Sequence, residues 1–248
     1  MKKHIPNLIT LLNLLSGVIA VILAVQGDLI GAALFVIIGI IFDFFDGFVA
    51  RLLGVQGELG KQLDSLADVV TSGVVPGIAM FQMLTYSLNG GHLNHKDFYH
   101  VITEVSALPL FGLLIVAAAA YRLANFNIDM RQTSSFIGVP TPASALFVLS
   151  FPLILNYGDS EFAISLITNT WFLLAVTILS CYMMNANIPL FGLKFRNFNF
   201  QDNWMKYLFL TLSLIMLIVL KVIAIPLIIV SYVLLSIIDN IININKEE

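Results

Sequence analysis

Residues Asp43 to Asp68 read DFFDGFVARLLGVQGELGKQLDSLAD. Asp43, Asp46, Asp64 and Asp68 stand here with Gly47, Ala50, Arg51 and Gly60, inside a chain that is otherwise largely apolar. An aspartate at the centre of a membrane helix costs roughly 2.5–3.5 kcal/mol, and less near the interface. Four in one short stretch need a compensating partner, and the simplest is a bound divalent cation. Asp43 and Asp46 are three residues apart, so on a helix they sit roughly 60° apart on one face. Gly47, Ala50 and Arg51 continue that face. Asp64 and Asp68 are four apart on a following helix, with Gly60, Ser72 and Pro76 extending their stripe.

Two such helices as neighbours converge four carboxylates on one point. Carboxylate oxygens suit hard cations such as Mg²⁺ or Mn²⁺, which keep open positions for substrate phosphate. Glycine and alanine leave room for a ligand beside the backbone, and arginine offers a fork of donors to phosphate. Basic groups are too few for the carboxylates to be satisfied by protein alone: Arg51 and Lys61 face four aspartates and Glu58.

The composition places these residues in a membrane. The 248 residues are 59% hydrophobic and only 11% charged, with a mean hydropathy of +0.95, the profile of a polytopic membrane protein. The net charge of −3 gives no reason to expect a nucleic-acid partner. Cys181 is the single cysteine, so no intrachain disulfide forms, and it reads as an inert buried thiol. Met1–His4 and the apolar run after it resemble a signal peptide. The run leads into a second span without an A-x-A site, so it reads as a first membrane helix.

About 20 apolar residues cross a bilayer as a helix. About eight such stretches are present, roughly 8–26, 29–53, 60–86, 101–127, 140–157, 162–184, 206–222 and 224–243. Turn chemistry separates them at Gly27-Asp28, Asn89-Gly90-Gly91, Pro140, Gly158-Asp159, Asn185–Asn203 and Pro226. The expected fold is all-α, a polytopic bundle forming a single domain over 1–248. With both ends on one side, Lys2, Lys3, Arg51, Lys61, Arg122, Arg131, Lys194, Arg196, Lys206 and Lys246 share that side, and Lys96 and Lys221 lie opposite. The positive-inside rule makes the crowded side cytoplasmic, with the aspartates at that interface.

The full pattern Asp43-x2-Asp46-Gly47-x2-Ala50-Arg51-x8-Gly60-x3-Asp64-x3-Asp68 resembles the signature of the CDP-alcohol phosphotransferase family, with every position filled at its expected spacing. The resemblance implies that Asp43, Asp46, Asp64 and Asp68 ligate two Mg²⁺ or Mn²⁺ ions, with Asp68 as the base that accepts the proton of the attacking alcohol. It also implies a homodimer. Gly47, Ala50, Arg51, Gly60 and Asp64 would hold a liponucleotide such as CDP-diacylglycerol. Spacing alone does not single out the base.

Three further segments bear on the substrate. The start, Ile5-Pro6-Asn7-Leu8-Ile9-Thr10-Leu11-Leu12-Asn13, puts Thr10, Asn13 and Gly17 on one face with Asn7 beside it. Such polar groups bond between helices or meet a ligand, and the pattern resembles the nucleotide-holding end of family members that make phosphatidylserine. The fourth span ends Tyr121-Arg122-Leu123-Ala124-Asn125-Phe126-Asn127, with Arg131 beyond. Arg122 is deep enough to need a partner, and reads either as an interfacial snorkelling arginine or as an anion site. With Phe136-Ile137-Gly138-Val139-Pro140-Thr141-Pro142-Ala143, this end resembles the RxARFN and FxGxPxPxA segments of bacterial-type phosphatidylserine synthases, except that Asn125 replaces an arginine.

The expectation is therefore metal-dependent phosphatidyl transfer from CDP-diacylglycerol to L-serine in a bacterial-type inner membrane. Arg122 is the first candidate for the serine carboxylate, Arg131 the second, and Asn127 a support. The alternatives are another acceptor alcohol, such as glycerol 3-phosphate or an inositol phosphate, a cation-coupled transporter, or an aspartate-rich prenyltransferase. A phosphorylated acceptor calls for a denser basic cluster, a transporter site belongs near the midplane, and a prenyltransferase leaves the glycine, alanine and arginine spacing unexplained. His92, His95 and His100, with only Asp97 near in sequence, read as a solvated outer loop. Lys194–Trp204 reads as a basic, aromatic loop against lipid headgroups.

Overall fold

Apolar runs long enough to cross a bilayer satisfy their backbone groups internally, which in lipid means helices. A computed structural model describes residues 2–90, 107–128, 136–192 and 200–247. In order the helices are α1 (His4–Val25), α2 (Leu29–Leu52), α3 (Glu58–Leu88), α4 (Leu108–Ile128), α5 (Thr141–Tyr157), α6 (Glu161–Ile167), α7 (Thr170–Asn185), α8 (Phe200–Leu220) and α9 (Ala224–Glu247). Asn89-Gly90, Gly158-Asp159 and Gly27-Asp28 fall between helices as expected. Asp28 caps α2 by accepting from Gly31 N at 2.8 Å, and Asn169 caps α7 by accepting from Trp171 N and Phe172 N. The histidine-bearing loop, Arg131, Lys194 and Arg196 lie outside the described residues, as does the start of the fourth expected span.

Among the described residues, five helical stretches qualify as spans by length and apolarity, and six if the pair α6–α7, bent by 71°, is counted as one. The remaining two of the eight expected crossings are accounted for differently. One is α5, an apolar helix of 17 residues. The other is hidden in Asn203–Ile242, which runs for 40 residues. That stretch folds back on itself: the Phe209 and Tyr232 rings lie 5.5 Å apart, whereas a straight helix would separate them by about 34 Å. The reversal falls at Lys221, whose φ of +49° is left-handed. The chain is an integral membrane protein.

α3 is the central helix, with 67% of its most apolar window buried, against 6% for Asn203–Ile242. Val75, Ala79, Met80, Met83 and Leu84 are all within the core that α1, α2, α4, α5 and α7 complete. In lipid, helices associate through close packing and small residues rather than by expelling water. Gly112 of α4 shows this: a Cβ there would lie 2.6 Å from Phe81 N.

α3 is not regular throughout. Glu58–Asp68 is α-helical, Val69–Val74 forms a π-helical turn, and Val75–Leu88 resumes the α-helix. The wide turn interrupts the even stripe expected to run from Gly60 through Asp68 to Pro76, and buries Thr71, Ser72 and Gly73. The only strands among the described residues are Phe136–Ile137 (β1) and Pro189–Leu190 (β2), paired antiparallel with Phe136 opposite Leu190.

Candidate active site

The acidic halves of α2 and α3 face one another across the first turns of α1. One carboxylate oxygen each from Asp43, Asp64 and Asp68 lies within 4.8 Å of the others. Asp68 is buried, and Asp43 and Asp64 are half-buried. Asp46 stands outside this triple. It is buried, and its Oδ2 accepts from Thr10 Oγ1 at 2.5 Å.

α1 supplies the polar counterpart. Asn13 Nδ2 donates to Asp68 Oδ1 at 3.3 Å. Its Oδ1 accepts from Thr71 Oγ1, in the π-turn, at 2.9 Å. Thus the amide that orients Asp68 is itself oriented by α3. Three helices meet closely enough for this only because two crossing positions lack side chains. A Cβ on Gly17 would lie 2.5 Å from Thr71 Oγ1, and one on Gly39 would lie 2.8 Å from Asn13 Oδ1. Thr71 and Gly39 escaped the sequence reading. Thr71 is one polar residue in a long apolar run, and its partner is 58 residues away.

Beside the carboxylates opens a cavity of about 720 Å³, lined by Asn7, Thr10, Asp46, Gly47, Ala50, Arg51, Gly60 and Asp64, among others. Lys3, His4 and Lys61 add basic groups to its wall. The sequence reading of Asn7, Thr10 and the signature glycines thus converges on one space. Asn7 Oδ1 lies against Gly60, 3.4 Å from where a Cβ would be. The Arg51 guanidinium lies over Gly47, with Nη1 3.5 Å from where a Cβ would be.

Arg122, at the end of α4, is 7% exposed. Its Nη2 donates to Gly138 O at 3.3 Å, with Ile137 O at 3.5 Å, and its Nε has no hydrogen-bond partner among the described residues. It lies close enough to Asp68 for the two charges to interact. Asn127 is committed elsewhere: its Nδ2 donates to Ser65 Oγ at 2.9 Å, and its carbonyl accepts from Lys61 Nζ at 2.6 Å. Its Oδ1 is buried without a hydrogen-bond partner among the described residues. Asn127 therefore ties α4 to α3 at the cavity's edge.

The donor set fits hard divalent cations. Three carboxylates share one point, and no Lys or Arg nitrogen among the described residues lies within 4.0 Å of any of the four aspartates. Clustered anions without an ion-pair partner in a membrane protein are electrostatically costly, and all-oxygen ligands suit Mg²⁺ or Mn²⁺.

The profile of the family described as CDP-alcohol phosphatidyltransferase matches residues 3–184. The chain belongs to that family. As a CDP-alcohol phosphatidyltransferase it is an enzyme of phosphatidyl transfer from a CDP-alcohol, and the acidic triple, the cavity and Arg51 all lie in the matched part. It is 32% identical over 161 residues to the CDP-diacylglycerol–serine O-phosphatidyltransferase of Bacillus subtilis, covering 63% of this chain and 82% of that one. It is 31% identical over 166 residues to the archaetidylserine synthase of Methanothermobacter thermautotrophicus, covering 66% and 64%. The CDP-diacylglycerol–serine O-phosphatidyltransferase of Helicobacter pylori (strain J99) is 34% identical over 154 residues, covering 61% and 58%. The matches to the last two thus span less than two thirds of those relatives. Helices α8 and α9 lie beyond the family match.

Proposed function

We propose that this CDP-alcohol phosphatidyltransferase transfers the phosphatidyl group of CDP-diacylglycerol to the hydroxyl of L-serine, giving phosphatidylserine and CMP. The observation that carries the reading is the convergence of Asp43, Asp64 and Asp68 beside a cavity whose wall combines small residues with Arg51, Lys3 and Lys61. A diphosphate at headgroup depth fits such a wall, while the acyl chains stay in lipid. Serine as the acceptor is supported by the names of the bacterial relatives and by a buried arginine beside the carboxylates.

In this reading Asp43, Asp46, Asp64 and Asp68 hold one or two divalent cations, Mg²⁺ or Mn²⁺. Bound there, the cations supply charge neutralisation to the diphosphate and to the departing CMP. Arg51 donates to phosphate oxygens, and Gly47, Ala50 and Gly60 let the nucleotide lie against the helices. Asn7, Thr10 and Asn13 complete the nucleotide side, Thr10 and Asn13 by fixing Asp46 and Asp68. The serine oxygen attacks the β-phosphorus, the bond from that phosphorus to the oxygen of CMP breaks, and Asp68 takes the hydroxyl proton. Arg122 receives the serine carboxylate, with Arg131 as a second cation and Asn127 supporting α4. The enzyme is a homodimer of a bacterial-type inner membrane with its termini and active site cytoplasmic, a topology that puts ten of the twelve basic residues on the cytoplasmic side.

The test is purified enzyme with CDP-diacylglycerol, Mg²⁺ or Mn²⁺ and a panel of alcohols: serine, glycerol 3-phosphate and inositol 1-phosphate. CMP release with serine alone is the expected result. Release with another alcohol and none with serine would remove the serine assignment and leave the family chemistry intact.

A further inference from the structure

The carbonyls that hold Arg122 belong to a short ladder, and the far side of that ladder is gripped by the last helix. Gly138 O and Ile137 O accept from Arg122. Ile137 pairs with Pro189 across the β1–β2 ladder. Gly138 N donates to Ile188 O at 2.9 Å and Val139 N to Met183 O at 3.0 Å, so the segment is fixed on both sides of the carbonyl. Gly138 has a φ of +72°, and a Cβ there would lie 3.1 Å from Ala186 O. Only glycine adopts this conformation against the end of α7 without strain.

Helix α9 closes the other edge. Tyr232 OH donates to Phe191 O at 2.8 Å, and Asn240 Nδ2 donates to Pro189 O at 2.7 Å. These two bonds flank Leu190, which is 1% exposed. The Tyr232 ring packs edge-on against Phe191 at 5.1 Å and lies 5.5 Å from Phe209 of α8. A hairpin whose most apolar window is largely unburied thus directs two side-chain donors at the backbone of β2 and of Phe191 beside it.

We infer that Tyr232 and Asn240 are positioning residues for acceptor recognition: through β2 and β1 they hold the carbonyls that aim the Arg122 guanidinium at the acceptor's carboxylate. The hairpin α8–α9, beyond the family match, is a brace for the acceptor side of the site. The chain of contact runs from Tyr232 and Asn240 to Phe191 and Pro189, across the ladder to Ile137 and Gly138, and so to Arg122. None of these contacts reaches the nucleotide cavity around Arg51 and Gly60, so the effect is confined to one substrate. The inference rests on the reading that Arg122 binds the acceptor.

The test uses the full-length purified enzyme and measures KM and kcat for serine and for CDP-diacylglycerol in Arg122→Lys, Tyr232→Phe, Asn240→Ala and the double variant Tyr232→Phe/Arg122→Lys. Tyr232→Phe keeps all three rings and removes only the hydroxyl. A single lost hydrogen bond predicts a rise in serine KM of about twofold to tenfold for Tyr232→Phe and Asn240→Ala. KM for CDP-diacylglycerol stays unchanged. In the Arg122→Lys background the tyrosine change adds nothing, because the guanidinium it aims is gone. If Arg122→Lys raises serine KM while Tyr232→Phe and Asn240→Ala leave it at the wild-type value, the brace is overturned and the Arg122 assignment stands. Serine KM unmoved by Arg122→Lys overturns both. Equal rises in KM for both substrates mark a merely structural role and also overturn the inference.

Discussion

Asn13 Nδ2 donates to Asp68 Oδ1 at 3.3 Å while Asn13 Oδ1 accepts from Thr71 Oγ1 at 2.9 Å. The amide is therefore a clasp whose two ends both lead to α3, one before and one within the π-turn. It fixes which oxygen of Asp68 is free. Replacing Asn13 with alanine frees the carboxylate to rotate, and replacing it with aspartate adds a like charge. Both variants should lose about 10–100-fold in turnover or metal affinity, the usual cost of removing a partner that orients a ligand. CMP release measured against metal concentration checks this, and wild-type behaviour of Asn13→Ala would remove the clasp from the account.

The four aspartates should separate by role. Asp68→Asn keeps nucleotide binding and loses most turnover, because an amide cannot take the hydroxyl proton. Asp43→Asn instead raises the metal concentration needed for half-maximal rate. Chelation should abolish CMP release in the wild type, with Mg²⁺ or Mn²⁺ restoring it. Nucleotide binding by calorimetry alongside metal titrations of activity distinguishes these outcomes, and a wild-type rate in Asp68→Asn would rule it out as the base.

Arg51 is exposed at the end of α2 and lines the cavity. Lysine there keeps the charge but not the planar fork. Arg51→Lys should raise KM for CDP-diacylglycerol by about tenfold, the loss expected of one charge-assisted hydrogen bond, with serine KM unaffected. Steady-state kinetics with each substrate varied in turn is the measurement.

The crossing of α1 with α3 makes a stability prediction. A methyl group at Gly17 would lie 2.5 Å from Thr71 Oγ1 and 3.1 Å from Thr71 Cα, so backbone as well as side chain must move. Gly17→Ala should destabilise the protein by about 1–3 kcal/mol, the cost of overpacking. Gly57→Ala, where a methyl group meets nothing within 4 Å, is the comparison. Unfolding in detergent followed by circular dichroism reports the difference, and equal stability of the two variants would contradict the close crossing.

Much of the site was legible because its chemistry is expensive. Aspartates in an apolar chain announce themselves, and their helical spacing carried Asp43, Asp64 and Asp68 to one place. Asn7 and Thr10 were legible for the same reason and do line the cavity. Asp46 stands beside the triple and takes a bond from Thr10, a distinction of side-chain direction that spacing does not carry. Thr71 and Gly39 stayed hidden because their meaning depends on a partner helix, and isolated small or polar residues are common in membrane spans. Asn127 was read as a support at the serine site, and its amide nitrogen donates to Ser65, a partner that sequence spacing does not indicate. The eightfold hydrophobic pattern was readable by length, but the 71° bend between α6 and α7 and the irregular turn in α3 arise from packing that no single segment encodes.

That irregular turn constrains how the gene can change. A regular helix advances about 100° per residue, and a π-turn accommodates one residue more than an α-turn. Straightening Val69–Val74 into a regular helix at its present length would swing everything beyond it by about 100° relative to Asp64 and Asp68, whereas losing one residue together with the wide turn would leave the two flanking faces in register. In the straightened form the buried row of Val75, Ala79 and Met83 would turn away from its present partners while the aspartates kept their place. Length here is as much a part of the message as identity: a single-codon deletion on either side of the wide turn shifts the core-facing row against the aspartates, and one inside Val69–Val74 is absorbed by the turn.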